Sequence, residues 1–406
     1  MSAPRLVIVD GVRTPFCKWN THFASLGADE LGRVAVNALL TRTGLDPKLI
    51  DEVIFGCVCQ PAEAANVARV IALRAGIPQS VPAMTVHRNC ASGFEAITVA
   101  AERMAAGRGS VFIVGGAESM SQVPLLLKQS TAKKYGALGG AKTLWQKIAA
   151  LSRFRLSDLE PRVALKLGLT DPVSGLNMGE TAELLARENG ITREMQDEFA
   201  VHSHQKAVAA RDKFSAEICP VYVHGKAITE DNGPRADTSV AALGKLKPVF
   251  DRRYGTVTAG NSSQISDGAV ALLVMTEEKA GELGFSQPLG RLADYAYTGC
   301  DPARMGLGPV SAIRKIDRPI AEADLVEINE AFAAQVLAVL KILGGVPRDK
   351  LNVNGGAIAL GHPVGATGAR LVLGALKELQ RRQGRRALVS LCVGGGQGGA
   401  LWLERP

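Results

Sequence analysis

Ala83-Met-Thr-Val-His-Arg-Asn-Cys-Ala-Ser-Gly-Phe94 is the stretch that decides the fold. Ala83–Val86 has a strand-like composition. Beyond it Phe94, Ile97, Ala101 and Met104 recur at helical spacing, and Gly107 supplies a stop. Val111-Phe-Ile-Val-Gly115 then forms an apolar run typical of a buried strand, and upstream Glu52-Val-Ile-Phe-Gly56 gives an earlier strand followed by a helical stretch. Strand and helix alternate, which predicts βαβ units and a largely parallel sheet.

The same order returns later in the chain. Asp324-Leu-Val-Glu-Ile328 is followed by a helix from Glu330 to Leu343, a strand over Leu351-Asn-Val-Asn354, and then His362. A helix with Ala369, Val372, Leu376 and Leu379 on one face comes next, then the strand Ala387-Leu-Val-Ser-Leu391. Cys90 lies 34 residues after Gly56 and His362 lies 33 after Asn329, and each unit closes on glycines, Gly115-Gly116 and Gly394-Gly395-Gly396. Three correspondences in one order indicate a duplication. Facing halves would bring Cys90 and His362, at equivalent strand-to-helix junctions, to a shared cleft. The halves are expected over 1–120 plus 251–280 and over 281–406. Residues 121–250 form an inserted loop domain with helices near 179–188 and 192–211, after which Thr256 to Met275 resumes the first half.

Composition fits this division. A chain of 406 residues, 47 % hydrophobic, has material for two cores, and 44 glycines against 5 % aromatics suit an α/β enzyme with many tight turns. The net charge of +8 is compatible with nucleic acid, an anionic membrane or an acidic metabolite. Lys and Arg read as dispersed and without interleaved aromatics, so a polyanionic small molecule is favoured over nucleic acid. The apolar run Leu6–Val9 is too short for a secretion signal, and no run reaches the roughly 18 residues of a membrane span, so a soluble cytoplasmic protein is expected. Seven cysteines, an odd number, read as reduced thiols; Cys57-x-Cys59 lacks a partner pair at zinc spacing and reads as small residues ending a strand, so no metal is expected.

Four places carry chemistry. Cys90, in Arg88-Asn-Cys-Ala-Ser-Gly-Phe94, stands at a helix start, where backbone N–H groups and the helix dipole are expected to lower a thiol pKa; the bland reading is a small buried cysteine. His362 stands in Asn352-Val-Asn-Gly-Gly-Ala-Ile-Ala-Leu-Gly-His-Pro-Val-Gly-Ala-Thr-Gly368, where Gly361 and Pro363 fix the backbone, and imidazole is the usual base for a thiol. In Ser390-Leu-Cys-Val-Gly-Gly-Gly-Gln-Gly-Gly399 the glycines fit G-x-G-x-x-G, but no helix follows, so the dinucleotide reading fails. Free N–H groups at Gly394–Gly396 can bind an oxyanion instead. Asn329-Glu-Ala-Phe-Ala333 offers a cleft-facing polar side chain or, equally, a helix N-cap.

Together with Val12-Arg-Thr-Pro-Phe16, Gly115-Gly-Ala-Glu-Ser-Met120, Asn177-Met-Gly179 and Gly255-Thr-Val-Thr-Ala-Gly-Asn261, these segments resemble the thiolase family in the family's own order. The resemblance implies an α/β fold of duplicated βαβαβαββ halves in five αβαβα layers, with an inserted loop domain that binds CoA and acyl chain. It implies thiolytic cleavage of 3-ketoacyl-CoA, or the reverse condensation, with Cys90 as acyl carrier, His362 as its base and Cys392 as acid/base. Asn329 would hold a water that, with His362, binds one thioester oxyanion, and the N–H groups of Cys90 and Gly394 would form the second oxyanion hole. Ser263 would meet the pantetheine amides, Met178, Ala259, Ala331 and Phe332 its channel, and Arg235 the adenine. CoA thioesters would be substrates, with no tightly bound cofactor, in a homodimer or homotetramer.

Some residues depart from that pattern. Asn177 stands where small biosynthetic members usually have His, which favours a 3-ketoacyl-CoA thiolase over an acetoacetyl-forming acetyltransferase, and Cys17 stands where Gly is common. Residues 141–155 form an added amphipathic segment, with Leu144, Trp145, Ile148 and Leu151 on one side and Lys142, Lys147 and Arg153 elsewhere. It resembles helices of long-chain β-oxidation thiolases from membrane-associated complexes, although those commonly carry His in place of Asn329. The implied partner is an anionic membrane surface or a hydratase/dehydrogenase subunit; the alternative is a stripe covering the protein's own core. Cys392 argues against a ketoacyl synthase, and Cys90, His362 and Cys392 together argue against a non-catalytic acyl-CoA-binding relative.

Overall fold

Every second side chain of the longest strand, Ser266–Thr276, enters a different apolar core. Val270, Leu272 and Val274 join one cluster, and Ala269, Ala271, Leu273 and Met275 join another. Strand side chains alternate between faces, so both faces of this sheet are covered. The computed structural model describes residues 5–405.

In chain order the first half contains β1 (Leu6–Arg13), α1 (Ala28–Thr43), β2 (Glu52–Gly56), α2 (Val67–Arg74), β3 (Ala83–Val86), α3 (Ser92–Ala105) and β4 (Val111–Ser119). Helices α4 (Gln129–Gly139), α5 (Leu144–Leu151), α6 (Met178–Asn189) and α7 (Arg193–Ala209) precede β5 (Ser266–Thr276), which completes that half. The second half contains β6 (Gly290–Gly299), α8 (Gly308–Lys315), β7 (Leu325–Ile328), α9 (Ala333–Leu343), α10 (Val364–Arg382), β8 (Arg386–Val393) and β9 (Gln397–Glu404).

Read outward from the join, the first half pairs as β1-β5-β4-β2-β3 and the second as β6-β9-β8-β7. β2 is parallel to β3 and β4, and β7 is parallel to β8, whereas β5 and β9 run antiparallel to their neighbours. Val7 and Ile8 of β1 pair with Arg291 and Gly290 of β6, which joins the halves into one ten-stranded sheet when the short Cys17–Lys18 strand on β5 is included. The duplication is therefore visible in strand order.

The halves differ at one rung. The strand expected over Leu351–Asn354 is reduced to a single parallel bridge, Val326 to Leu351. The backbone turns at Asn352, with φ 42°, and its carboxamide brackets Ile328, accepting from Ile328 N and donating to Ile328 O, both at 2.9 Å. One side chain with a donor and an acceptor replaces the missing strand backbone.

Helices α3 and α10 lie between the inner faces of the two half-sheets. Their Phe94, Ile97, Met104, Leu371, Val372 and Leu376 share a core with Ile54, Val114, Val389 and Leu403. α1 and α2 cover the outer face of the first half-sheet, and α8 and α9 that of the second. The result is the five-layered αβαβα order. The central helices approach backbone to backbone: a Cβ on Gly93 would lie 2.6 Å from Ala369 N, and one on Gly368 would lie 2.6 Å from Phe94 N. Only glycine fits there.

Residues 123–170 form a separate compact unit. It holds α4, α5 and the paired strands Leu125–Leu126 and Arg162–Val163. A Thr143/Gln146 capping box starts α5, and Asp158 gathers Lys134 Nζ at 2.5 Å and Arg155 N at 2.7 Å. Leu144, Trp145, Ile148 and Leu151 of α5 are exposed, Trp145 to 79 %. This short stretch holds nine Lys and Arg against two acids, so +7 of the chain's net +8 resides in it. Lys and Arg are dispersed along the chain, as expected from the sequence, but acids balance them everywhere except here, so the net charge is concentrated.

Candidate functional site

Cys90 stands two residues ahead of Ser92, the first residue of α3, and His362 two ahead of Val364, the first of α10. The duplication thus sets the two candidate side chains at one architectural position, where the central helices begin. Ser92 stabilises the approach to Cys90: its Oγ donates to Asn89 O at 2.7 Å and accepts from Arg88 N at 3.0 Å.

The backbone N–H groups of Cys90 and Gly394 favour the thiolate at Cys90, yet burial outweighs them and pushes the thiol pKa up, with Glu118 adding to the rise. The lowered value expected at a helix start is not found, because packing against the central apolar core desolvates the thiol. Burial also pushes the Cys392 thiol well up, and nearby Cys90 and Cys300 push it further. Both thiols are protonated at neutral pH.

His362 is held in one tautomer. Thr367 Oγ1 donates its only proton to Pro363 O at 2.8 Å, so it must accept at its 2.6 Å contact with His362 Nδ1. Nδ1 carries the proton and Nε2 the lone pair. Burial, then the positive charge of Arg370, holds the imidazole down to about 4, so it is neutral near pH 7. Asn329 Nδ2 lies 3.5 Å from Nε2, too far for a strong hydrogen bond, which leaves that lone pair available.

Asn329 follows β7 directly, and its N–H donates to Ser390 O at 2.9 Å. It is not a helix N-cap, since Phe332 occupies that position for α9. Its Oδ1 is buried without a protein partner, the condition of an acceptor suited to a water or ligand donor. The Gly394–Gly396 turn follows Cys392; Gly395 and Gly396 take φ of 88° and 80°, and Gly396 O accepts from Cys300 N at 2.7 Å. Cys392 lies close enough to Cys90 to feel its charge, and His362 and Asn329 form a second pair at 3.5 Å; thiols, a neutral imidazole and an amide are the groups that moving an acyl group through sulfur requires.

Comparison with known proteins identifies the family. The thiolase N-terminal domain matches residues 6–278 and the thiolase C-terminal domain residues 286–405. The chain belongs to the thiolase family. It is 42 % identical to a 3-ketoacyl-CoA thiolase of Serratia proteamaculans over 98 % of this chain and 97 % of that one. It is 43 % identical to an acetyl-CoA acetyltransferase of Escherichia coli over 98 % of each. The crystal structure of the Bacillus anthracis acetyl-CoA acetyltransferase superposes with a TM-score of 0.90 at 40 % identity, covering 100 % of this chain and 99 % of that one. Human mitochondrial 3-ketoacyl-CoA thiolase in complex with CoA gives 0.89 at 36 %, covering 100 % and 98 %. As a thiolase, the protein is an acyltransferase.

Around this thiolase centre the remaining candidates fall into two groups. Ala331, Phe332 and Cys392 share an apolar cluster with Met178 and Phe250, and Phe250 meets Phe332 edge-on at 6.2 Å. Ser263 N donates to Ala331 O at 2.9 Å, which brings Ser263 to the same wall. Ala259 is exposed on the turn leading to Ser263. Arg235 is also exposed; its N–H donates to His204 Nδ1 at 3.2 Å, and burial, then Arg235 and Lys18, hold His204 down to about 4.

Four contributors went unassigned in the sequence. Thr367 orients His362. Glu118 accepts from Val58 N, Cys59 N and Gly365 N at 2.8–3.1 Å, binding the end of β4 to the start of α10. Glu330 collects Ser203 Oγ, Asn352 Nδ2 and Ile358 N beside Asn329. Asn89 donates to Gly394 O at 2.7 Å. Only Thr367 had a local signal, a hydroxyl in the first turn after a histidine.

Proposed function

We propose that this thiolase cleaves 3-ketoacyl-CoA with CoA to acyl-CoA and acetyl-CoA, and runs the reverse condensation, through an acyl group on Cys90. The observation that carries this reading is that Cys90 and His362 stand at the same offset from the two central helices, with His362 neutral, protonated at Nδ1 and only weakly engaged at Nε2, and with the Cys90 and Cys392 thiols both protonated. His362 Nε2 takes the Cys90 proton, and the thiolate attacks the 3-keto carbon while the N–H groups of Cys90 and Gly394 meet the oxyanion. The C2–C3 bond breaks, and its electron pair becomes the enolate of the acetyl thioester, whose oxygen faces His362 and a water on Asn329. Cys392, kept protonated by burial, gives its proton to C2 and acetyl-CoA leaves. The Cys392 thiolate then deprotonates incoming CoA, which attacks acyl-Cys90, and the departing sulfur regains its proton from His362.

In this reading Ser263 meets the pantetheine amides, Met178, Ala259, Ala331 and Phe332 line its path, and Arg235 lies toward the adenine, with residues 121–250 as the CoA- and acyl-binding insertion. The apolar cluster that links Met178, Ala331 and Phe332 to Cys392 supports this assignment. CoA enters as substrate. Mass spectrometry after brief exposure to a 3-ketoacyl-CoA should find an acyl adduct on Cys90; no adduct on any cysteine sinks the mechanism. A rate profile over C4 to C16 substrates separates this reading from an acetoacetyl-specific acetyltransferase.

The unit 123–170 supports a cytoplasmic enzyme that docks on an anionic bilayer. Its +7 charge and the exposed Leu144, Trp145, Ile148 and Leu151 combine electrostatic attraction with apolar insertion, whereas like charge opposes pairing with a second copy of itself. Wild type should co-sediment with phosphatidylglycerol vesicles and W145E/I148E should not; equal sedimentation of the two points instead to a protein partner. A homodimer or homotetramer is part of the same proposal, since β3 is an edge strand at the end of the sheet. Sedimentation velocity reads the oligomeric state.

A further inference from the structure

Five non-glycine residues have a left-handed backbone among the described residues, and one of them, Asn89 with φ 43°, immediately precedes Cys90. Asn is among the residues that tolerate this region best, so the position is built for a side chain that must bond while the chain turns. The side chain does bond: Nδ2 donates to Gly394 O at 2.7 Å, across 305 positions of sequence.

The backbone of Asn89 is anchored as well. Its carbonyl accepts from Ser92 N at 3.0 Å and from Ser92 Oγ at 2.7 Å. That carbonyl shares its peptide plane with the N–H of Cys90. Fixing the oxygen on one side therefore aims the N–H on the other. Gly394, whose N–H favours the Cys90 thiolate, is bare of any side chain that could hold it. It precedes two residues of positive φ, and glycine backbone is the most mobile kind. The Gly396 end of this turn is tied by Cys300 N, and the Gly394 end by the Asn89 carboxamide.

We infer that Asn89 is a positioning residue for the two amide donors at Cys90: its own carbonyl, held by Ser92, aims the Cys90 N–H, and its carboxamide, by holding the carbonyl of Gly394, restricts rotation of the glycine that carries the second N–H. The inference rests on the thiolase reading of the site and adds to it the source of the oxyanion hole's rigidity. Donors that stabilise an oxyanion act by being held in place before charge develops, and losing one costs about 10²- to 10³-fold in kcat. Loosening Gly394 without removing it should cost less, about 10- to 100-fold.

Asn89→Gly keeps the left-handed backbone and removes only the carboxamide. It should lower kcat for thiolysis about 10- to 100-fold with KM for the 3-ketoacyl-CoA within about threefold. Alkylation of Cys90 by iodoacetamide forms no oxyanion and should stay within about twofold of wild type. Asn89→Asp keeps size and backbone preference but sets a carboxylate against Gly394 O, and should fall below Asn89→Gly in kcat. Either variant with wild-type kcat overturns the inference. So does a parallel loss of turnover and alkylation, which assigns Asn89 to loop integrity alone. A wild-type enzyme that acylates no Cys90 would instead refute the site reading, so the two failures are distinguishable.

Discussion

Replacing Thr367 by valine tests whether the tautomer of His362 is set by the chain. Valine preserves shape in a fully buried position but removes the acceptor for His362 Nδ1–H at 2.6 Å and the donor to Pro363 O at 2.8 Å. A buried N–H left without a partner costs about 1–3 kcal/mol. The imidazole can recover that loss by moving the proton to Nε2, the nitrogen needed as base. Since about 1.4 kcal/mol is tenfold in rate, kcat/KM for thiolysis should fall about 5- to 150-fold. Thr367→Ser retains the hydroxyl and should stay within about threefold of wild type. Nitrogen-15 shifts of the His362 ring should show Nδ1–H in wild type and Thr367→Ser, and a mixture or Nε2–H in Thr367→Val. A valine variant with wild-type kcat/KM and an unchanged Nδ1–H ring would refute the reasoning, because the tautomer would then have another origin.

Other expectations concern charge and packing. His362 is held near 4 in the folded chain against about 6.5 when unfolded. Between those values the unfolded state binds the extra proton, so this group removes up to about 1.4 kcal/mol of stability per pH unit as pH falls from 6.5 to 4. His362→Gln should flatten that part of a stability-versus-pH curve measured by urea denaturation. Asn329→Asp places a carboxylate at the 3.5 Å contact with His362 Nε2, opposes the desolvation and should move the acid limb of the kcat/KM profile to higher pH; an unmoved limb would count against His362 as the base. Gly368→Ala drives a Cβ to 2.6 Å from Phe94 N, a backbone atom that cannot swing away, and should cost about 1–3 kcal/mol or more by chemical denaturation.

What could be read from the chain, and what could not, divides by the range of the interactions involved. The duplication was legible because each half writes its own local pattern: apolar strand runs, a 3.6-residue stripe and a glycine stop recur in the same order, and Cys90 and His362 prove to occupy the same offset from their helices. Leu351–Asn354 reads as a strand by those local rules. It fails to be one because Asn352 bonds both backbone groups of Ile328, an alternative that exists only after β7 is in place. The lowered Cys90 pKa fails for the same reason: the helix start is a local feature, whereas burial against a core shared by both halves is not. Asn89 was visible only as a neighbour of the nucleophile, because the bond that gives it meaning spans 305 residues. Likewise the charge seemed diffuse until the compact unit 123–170 supplied the boundary within which to count it. Candidate reacting groups are local information, carried by short motifs; their protonation states and mutual aim are tertiary properties, set by burial and by contacts between segments far apart in the chain.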